Sequence, residues 1–336
     1  MDPVTQGVLG AIAAQSSTTT KNLAKVAVIG ALAGMASDLD VLIRSSTDPL
    51  LALEFHRQFT HSLFFIPFGG LLCALVLFPL LGKRWGFSFG KILLWCILGF
   101  ATHGLLDGCT SYGTQLLWPL SHHRFSWDSI SIIDPLFTLP LLALIILAAW
   151  RKQKGFVVMA LLWGGLYLSF GFLQHSRTIE IGQTLAQSRG HQPSRLEVKP
   201  SFGNLVVWKL VYEAEGNFYV DAIRPGFPGF STPRIWQGTS IPKLNISRDF
   251  PWLASDTQQA KDIERFRWFS QDYLAIDPNN ASRIVDMRYS LLPHKIKPMW
   301  GIDVSEKAVE VEHVVFYSVH KEARQALNTL IQMIFE

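Results

Sequence analysis

Apolar residues run unbroken through the first half of the chain and alternate with polar ones in the second. Ser62–Gly82 is a 21-residue stretch without a charge, long enough as a helix to cross about 30 Å of hydrocarbon. Ile132–Trp150 and Gly155–Gln174 are further spanning candidates, the first with Asp134 near its start. Ile92–Leu106 is shorter and carries His103. Val4–Ala14 and Leu23–Ala36 are shorter still, and Gly7, Gly10, Gly30 and Gly34 would let these two approach closely. They are expected to form a helical hairpin within a bundle of about six helices.

After residue 175 the period changes. Arg283–Leu291 alternates, with Val285, Met287, Tyr289 and Leu291 on one face. Val309, Val311, His313, Val315 and Tyr317 alternate against Glu310 and Glu312. Leu205–Tyr212 and Phe218–Ile223 flank a hairpin signal, and residues 257–275 and 321–335 have helical periodicity. The proline-rich stretch 224–255 is expected to be a long loop. The fold class that follows is a polytopic α-helical membrane bundle over 1–175, then a small soluble α+β domain over 176–336 with a mainly antiparallel sheet.

Charge sharpens the division. Of 336 residues only 17% are charged, against about a quarter in ordinary soluble domains. Residues 1–175 hold 11 Lys/Arg and 8 Asp/Glu, and residues 176–336 hold 19 and 18. The net charge of +4 is too small and dispersed to suggest nucleic acid as a partner. Cys73, Cys96 and Cys109 all fall in the apolar half and build no disulfide framework. The first residues lack the basic region of a cleaved signal and are expected to be retained. Lys21 and Lys25, then Lys83, Arg84 and Lys91, then Arg151, Lys152 and Lys154 fall in three alternate loops. The positive-inside rule puts these loops in the cytoplasm, and the C-terminal domain on the outer, periplasmic side.

The ionisable residues of the apolar half are few and grouped. Asp38 and Asp40 close the second helix as Ser-Asp-Leu-Asp. His56, Arg57 and His61 precede the third, and His103 and Asp107, four apart, share one face of the fourth. In the topology above all lie at one membrane boundary. Burying such charges costs on the order of 3 kcal/mol each, so they are expected to partner one another. Histidines and carboxylates meeting from several helices suit zinc, or manganese or iron given the oxygen share. Six candidate ligands exceed the four that one zinc takes, so two or more ions are an option. In the C-terminal half there is no nucleotide loop, nucleophile elbow or metal motif, and His294, His313 and His320 are expected to be structural or exposed.

Met1–Gly10 (MDPVTQGVLG), Ser-Asp-Leu-Asp, His56–Ser62 (HRQFTHS) and His103–Asp107 (HGLLD) resemble bacterial membrane-bound metal-dependent hydrolases of the YdjM type. So do Thr110–Pro119, Phe125–Ser129 and Ile133–Pro135, and the resemblance covers about residues 1–175. It implies a helical bacterial inner-membrane protein with hydrolase activity. The His and Asp pattern is also similar, more distantly, to zinc-dependent bacterial phospholipases C. Relatives commonly have Thr-His-Gly or Thr-His-Ala near the start, where this chain has Thr5-Gln6-Gly7. An amide is a poor zinc ligand beside histidine, so one metal position is expected to be weakened or lost.

The function expected is a metal-dependent hydrolase at the outer membrane boundary, acting on a lipid-linked or phosphoester substrate. Asp38, Asp40, His61, His103 and Asp107 would be ligands, with His56 a ligand or general base and Arg57 a bidentate holder of an anionic group. Gln6, Ser62 and Asp134 would support the ligands from behind, Asp134 as acceptor for a ligating histidine. Tyr112, His122 and His123 share the outer loop and would contact substrate. The rival class is a non-catalytic metal-binding scaffold or regulator. A transporter is disfavoured, because its ionisable groups belong at the midplane.

Overall fold

The computed structural model describes residues 1–227, 231–318 and 323–335. Contacts divide the chain into two units. The first comprises Met1–Ile43, Phe55–Leu173 and Phe202–Asn204; the second comprises Arg44–Glu54, Gln174–Ser201 and Leu205–Glu336.

The first unit is helical. Asp2 accepts a hydrogen bond from Thr5 N, and Pro3 follows at the first helical position, together starting α1 (Pro3–Ser16). After α2 (Leu23–Met35) comes a 3-10 segment, Ala36–Leu42, that carries Asp38 and Asp40. α3 (Leu51–Phe55), a single turn, belongs to the second unit as far as Glu54. Then a 3-10 turn, α4 (Ile66–Leu77) and a π turn through Gly82 form one apolar stretch. α5 (Phe89–Cys109), α6 (Pro135–Arg151) and α7 (Gly155–Ser188) complete the unit. Leu63–Gly82, α5 and α7 are long and apolar enough to cross a membrane, and α6 is a shorter apolar helix.

α1 and α2 form a hairpin that packs on α5. The approach is close because it is built on glycine: a Cβ on Gly10 would lie 2.3 Å from Gly30 O, and one on Gly30 2.3 Å from Gly10 O. Ala14, Val26, Ile29, Ala33, Ala74, Leu77, Ile92, Trp95 and Cys96 form a buried cluster joining α1, α2, α4 and α5.

Three helix boundaries differ from the sequence expectation. α5 begins at Phe89 and ends at Cys109, longer than Ile92–Leu106. α6 starts at Pro135 rather than Ile132, because Asp134 accepts from Leu136 N and Phe137 N and so caps the helix. α7 continues well past Gln174 to Ser188, and the division between the units falls inside it.

The second unit holds two four-stranded antiparallel sheets. β1 (Arg195–Pro200), β2 (Trp208–Ala214), β3 (Asn217–Arg224) and β4 (Arg234–Pro242) pair in chain order. So do β5 (Leu274–Asp277), β6 (Asn280–Asp286), β7 (Trp300–Asp303) and β8 (Val315–Ser318). Between the sheets in sequence lie α8 (Ile246–Asp249) and α9 (Gln258–Phe269), and α10 (Ala323–Phe335) comes last. Val211, Phe218, Val220 and Ile241 of the first sheet share an apolar cluster with Tyr273, Ala275, Val285 and Met287 of the second region. Leu330 and Met333 of α10 pack with Val207 and Ala222.

Several sequence expectations are corrected here. Residues 224–255 are not one loop, since β4 within them pairs with β3 from Asn217↔Pro242 to Arg224↔Arg234. That long-range pairing overrides the local turn signals. The alternation at 309–313 is not a strand: Val309 and Val311 are exposed, and β8 begins only at Val315. β6 ends at Asp286, so Tyr289 and Leu291 lie beyond the strand. Helix 257–275 stops at Phe269, and the residues after it turn into β5. Helix 321–335 is described from Ala323.

Candidate metal centre

Three segments bring the site together. The 3-10 turn after α2 carries Asp38 and Asp40, the loop after α3 carries His56, Arg57 and His61, and the end of α5 carries His103 and Asp107. Gly104 makes the meeting feasible, because a Cβ there would lie 2.1 Å from His61 O. With no side chain on that face, the His61 turn lies directly on α5. The rings of His61 and His103 stand edge to face with centroids 4.6 Å apart.

Four atoms converge. His61 Nε2 lies 3.5 Å from Asp38 Oδ1 and 3.2 Å from Asp107 Oδ2. His103 Nε2 lies 3.2 Å from Asp38 Oδ1 and 3.6 Å from Asp107 Oδ2. Tetrahedral zinc with bonds of about 2.0–2.1 Å separates its ligand atoms by about 3.3–3.4 Å. The four distances bracket that value.

The tautomers are set from behind. His103 Nδ1 lies 2.5 Å from Gly34 O, and a carbonyl can only accept, so this nitrogen carries the hydrogen. Thr60 Oγ1 donates to Asp40 Oδ2 at 2.8 Å, and His61 Nδ1 donates in turn to Thr60 Oγ1 at 2.9 Å. Both Nε2 lone pairs therefore face carboxylate oxygens, an arrangement that needs a proton or a cation between them. His61 Nε2 and Asp107 Oδ2 are buried and make no hydrogen bond. Such atoms are costly to leave unsatisfied, and they fit a metal ion.

Without an ion a proton takes that place. Burial alone would lower the pKa of His61, but the surrounding carboxylates of Asp107, Asp38 and Asp40 outweigh it and push it up to about 10. Burial opposes ionisation of Asp38 and Asp40 too. The imidazoles beside them, His103 and His61 for Asp38 and His56 and His61 for Asp40, outweigh this and hold both below the usual carboxylate range.

The expected ligands thus divide into two groups. Asp38, His61, His103 and Asp107 form one, and Asp38, Asp40 and His56 form a second that shares Asp38. Asp40 is buried. Its Oδ1 faces His56 Nδ1 at 2.8 Å, and its Oδ2 accepts from Arg57 N at 3.1 Å and from Thr60. Among the described residues no other group of this kind occurs.

Arg57 adopts a left-handed backbone with φ 64°, a conformation costing about 1 kcal/mol or more outside glycine. It puts the amide on Asp40 and the guanidinium inward. Nη1 donates to Thr110 Oγ1 at 2.8 Å, Nε lies 3.1 Å from Asp107 Oδ2, and the group stacks on Tyr112. At 3% exposure Arg57 faces Asp107 and Thr110 rather than solvent, whereas the sequence reading made it a bidentate holder of an anionic group. Gln6 Nε2 and the Met1 amine both donate to Asp107 Oδ1, the former at 2.9 Å. This leaves Oδ2 to the two histidines and Arg57 Nε.

Two supporting roles expected from sequence are not what the structure shows. Asp134 is filled by its helix cap and by the Tyr167 hydroxyl at 2.8 and 2.9 Å, so it orients no histidine of the site. Ser62 donates to Trp118 O and accepts from Phe64 N, serving the backbone. Tyr112 does line the site, its ring 5.6 Å from that of His56. His122 and His123 are exposed, His123 against Phe125. In the second unit His313 pairs with Asp262, His294 is half-buried, and His320 lies outside the described residues. Sequence reasoning missed Thr60, Gly104 and the Gly34 carbonyl. A threonine next to His61 and a glycine next to His103 were visible signals, whereas a backbone acceptor has none.

Residues 1–178 match the YdjM inner membrane protein family. Over 145 residues the chain is 32% identical to "Inner membrane protein YbcI" of Escherichia coli (strain K12), covering 40% of this chain and 80% of that protein. No solved structure matches. Both residue groups lie inside the matched segment.

Proposed function

The chain belongs to the YdjM inner membrane protein family, and from that premise we propose that it is a metal-dependent hydrolase working at the boundary of the inner membrane. The observation that carries this reading is the pair of buried atoms without hydrogen bonds, His61 Nε2 and Asp107 Oδ2, facing each other beside Asp38 and His103. Asp38, His61, His103 and Asp107 would hold a divalent ion, zinc best by donor type, with manganese or iron as alternatives. When bound, such an ion supplies Lewis acidity and lowers the pKa of water. The chain's own residues prepare the pocket. Gly34 O and Thr60 fix the two histidine tautomers, Gln6 orients Asp107, and Arg57 offsets its charge. The site residues adjoin the ends of Leu63–Gly82 and α5, which favours a lipid-linked or phosphoester substrate delivered from the membrane. By the charge of its loops, the site and the C-terminal domain face the periplasm.

A second reading has its own support. Four protein ligands close a tetrahedral ion, as in structural sites, so this centre alone would suit a non-catalytic scaffold. Metal analysis with turnover assays on phosphodiesters and phospholipids separates the two. A hydrolase loses both metal and turnover in His103→Ala; a protein that binds metal yet turns over nothing is the scaffold.

A further inference from the structure

We propose that Asp38, Asp40 and His56 form a second, open cation position, joined to the closed one through the shared Asp38 carboxylate. This rests on the metal-binding reading of the Asp38–His61–His103–Asp107 pocket. The two groups differ in the way that structural and catalytic sites differ. The first has four protein donors, and its His61, His103 and Asp107 are fully buried. The second has three donors, and the side chains of Asp38 and His56 are 21% and 23% exposed. Three protein donors with access to solvent leave a coordination place for water or substrate. A carboxylate between two ions is the recurrent design of two-metal hydrolytic centres.

The local structure supports the pairing. Arg57's left-handed backbone turns the chain between His56 and His61, so that His56 faces Asp40 while His61 faces Asp38 and Asp107. One loop thus sends one histidine to each group. Asp40 touches both histidines, Oδ1 on His56 at 2.8 Å and Oδ2 3.3 Å from His61. Two divalent ions against the three carboxylates also leave the centre positive even before Arg57 is counted. An anionic phosphoester completes such a centre; a neutral ester does not.

The test is metal stoichiometry of the full-length protein in detergent, loaded with Mn²⁺ or Zn²⁺, for the wild type and His56→Ala. The expected result is two ions per chain in the wild type and one in His56→Ala. A spin-coupled Mn²⁺ pair signal is expected in the wild type and an isolated-ion signal in the variant. The ion retained by the variant doubles as evidence that the closed pocket is folded. Saturation of the wild type at one ion overturns the second position and leaves the first standing. Two ions in His56→Ala overturn the assignment of His56. No bound ion in either protein overturns both this proposal and the reading beneath it.

Discussion

Replacing Gly104 by alanine should abolish metal binding by the proposed pocket without unfolding the helix that carries it. The new Cβ would lie 2.1 Å from His61 O, where ordinary contact begins at 3.4 Å. The His61 turn and α5 must therefore separate by about 1.3 Å, and the obstacle is backbone, which has no rotamer to escape into. Metal sites tolerate roughly 0.2 Å in ligand distances. A shift several times larger takes His61 Nε2 out of reach of Asp38 and Asp107 together. Loss of a partner outside the ligand shell already costs about 10–100-fold in affinity, so displacing a ligand should cost at least about 100-fold. Alanine is the better helix former by about 1 kcal/mol, so α5 itself loses nothing locally. The assay is chelator competition on purified protein, with elemental analysis at saturation. Gly165→Ala, which meets nothing within 4 Å, serves as the control. Wild-type affinity in Gly104→Ala would refute the close packing of His61 on α5 and the pocket derived from it.

Gln6→Ala removes the 2.9 Å donor to Asp107 Oδ1 but no ligand atom, and should weaken metal binding about tenfold, as seen by the same competition. His103→Ala and Asp107→Ala should each lower bound metal in elemental analysis while the protein still inserts. In the second unit, burial drives the Lys209 amine down to about 7 although Asp286 opposes it. Its ordinary pKa is 10.5, so between these values the unfolded chain binds the extra proton. Stability of this unit should therefore rise with pH from about 7 to 10.5, up to tenfold in the folded-to-unfolded ratio per pH unit. Lys209→Met should flatten that rise, as followed by hydrogen exchange in β2 and β3. Alkaline phosphatase fused at the C-terminus should be active, since the positive-inside rule predicts the basic loops to be cytoplasmic; an inactive, well-expressed fusion would reverse the orientation.

Much of the membrane half was legible in sequence because lipid imposes a one-dimensional rule. A spanning helix must be long and apolar whatever its neighbours, so Leu63–Gly82 and α7 could be read from composition. Charges there are costly, and for that reason Asp38, His61, His103 and Asp107 stood out against their background. Strands obey no comparable local rule. The alternation at Val309–His313 matched a strand as well as β8 did, yet only β8 has a partner, β7. β4 was hidden among prolines because its pairing with β3 is a long-range event. The same holds inside the site. Sequence determined which residue types gather, but only the fold could divide them into two groups, direct Asp134 to a helix cap, and turn Arg57 toward Asp107. Those outcomes are set as the backbones pack, at contacts such as Gly104 on His61 and Gly10 on Gly30. A linear pattern carries residue identity and period; the hydrogen-bond partner of a buried atom is fixed only when the helices pack.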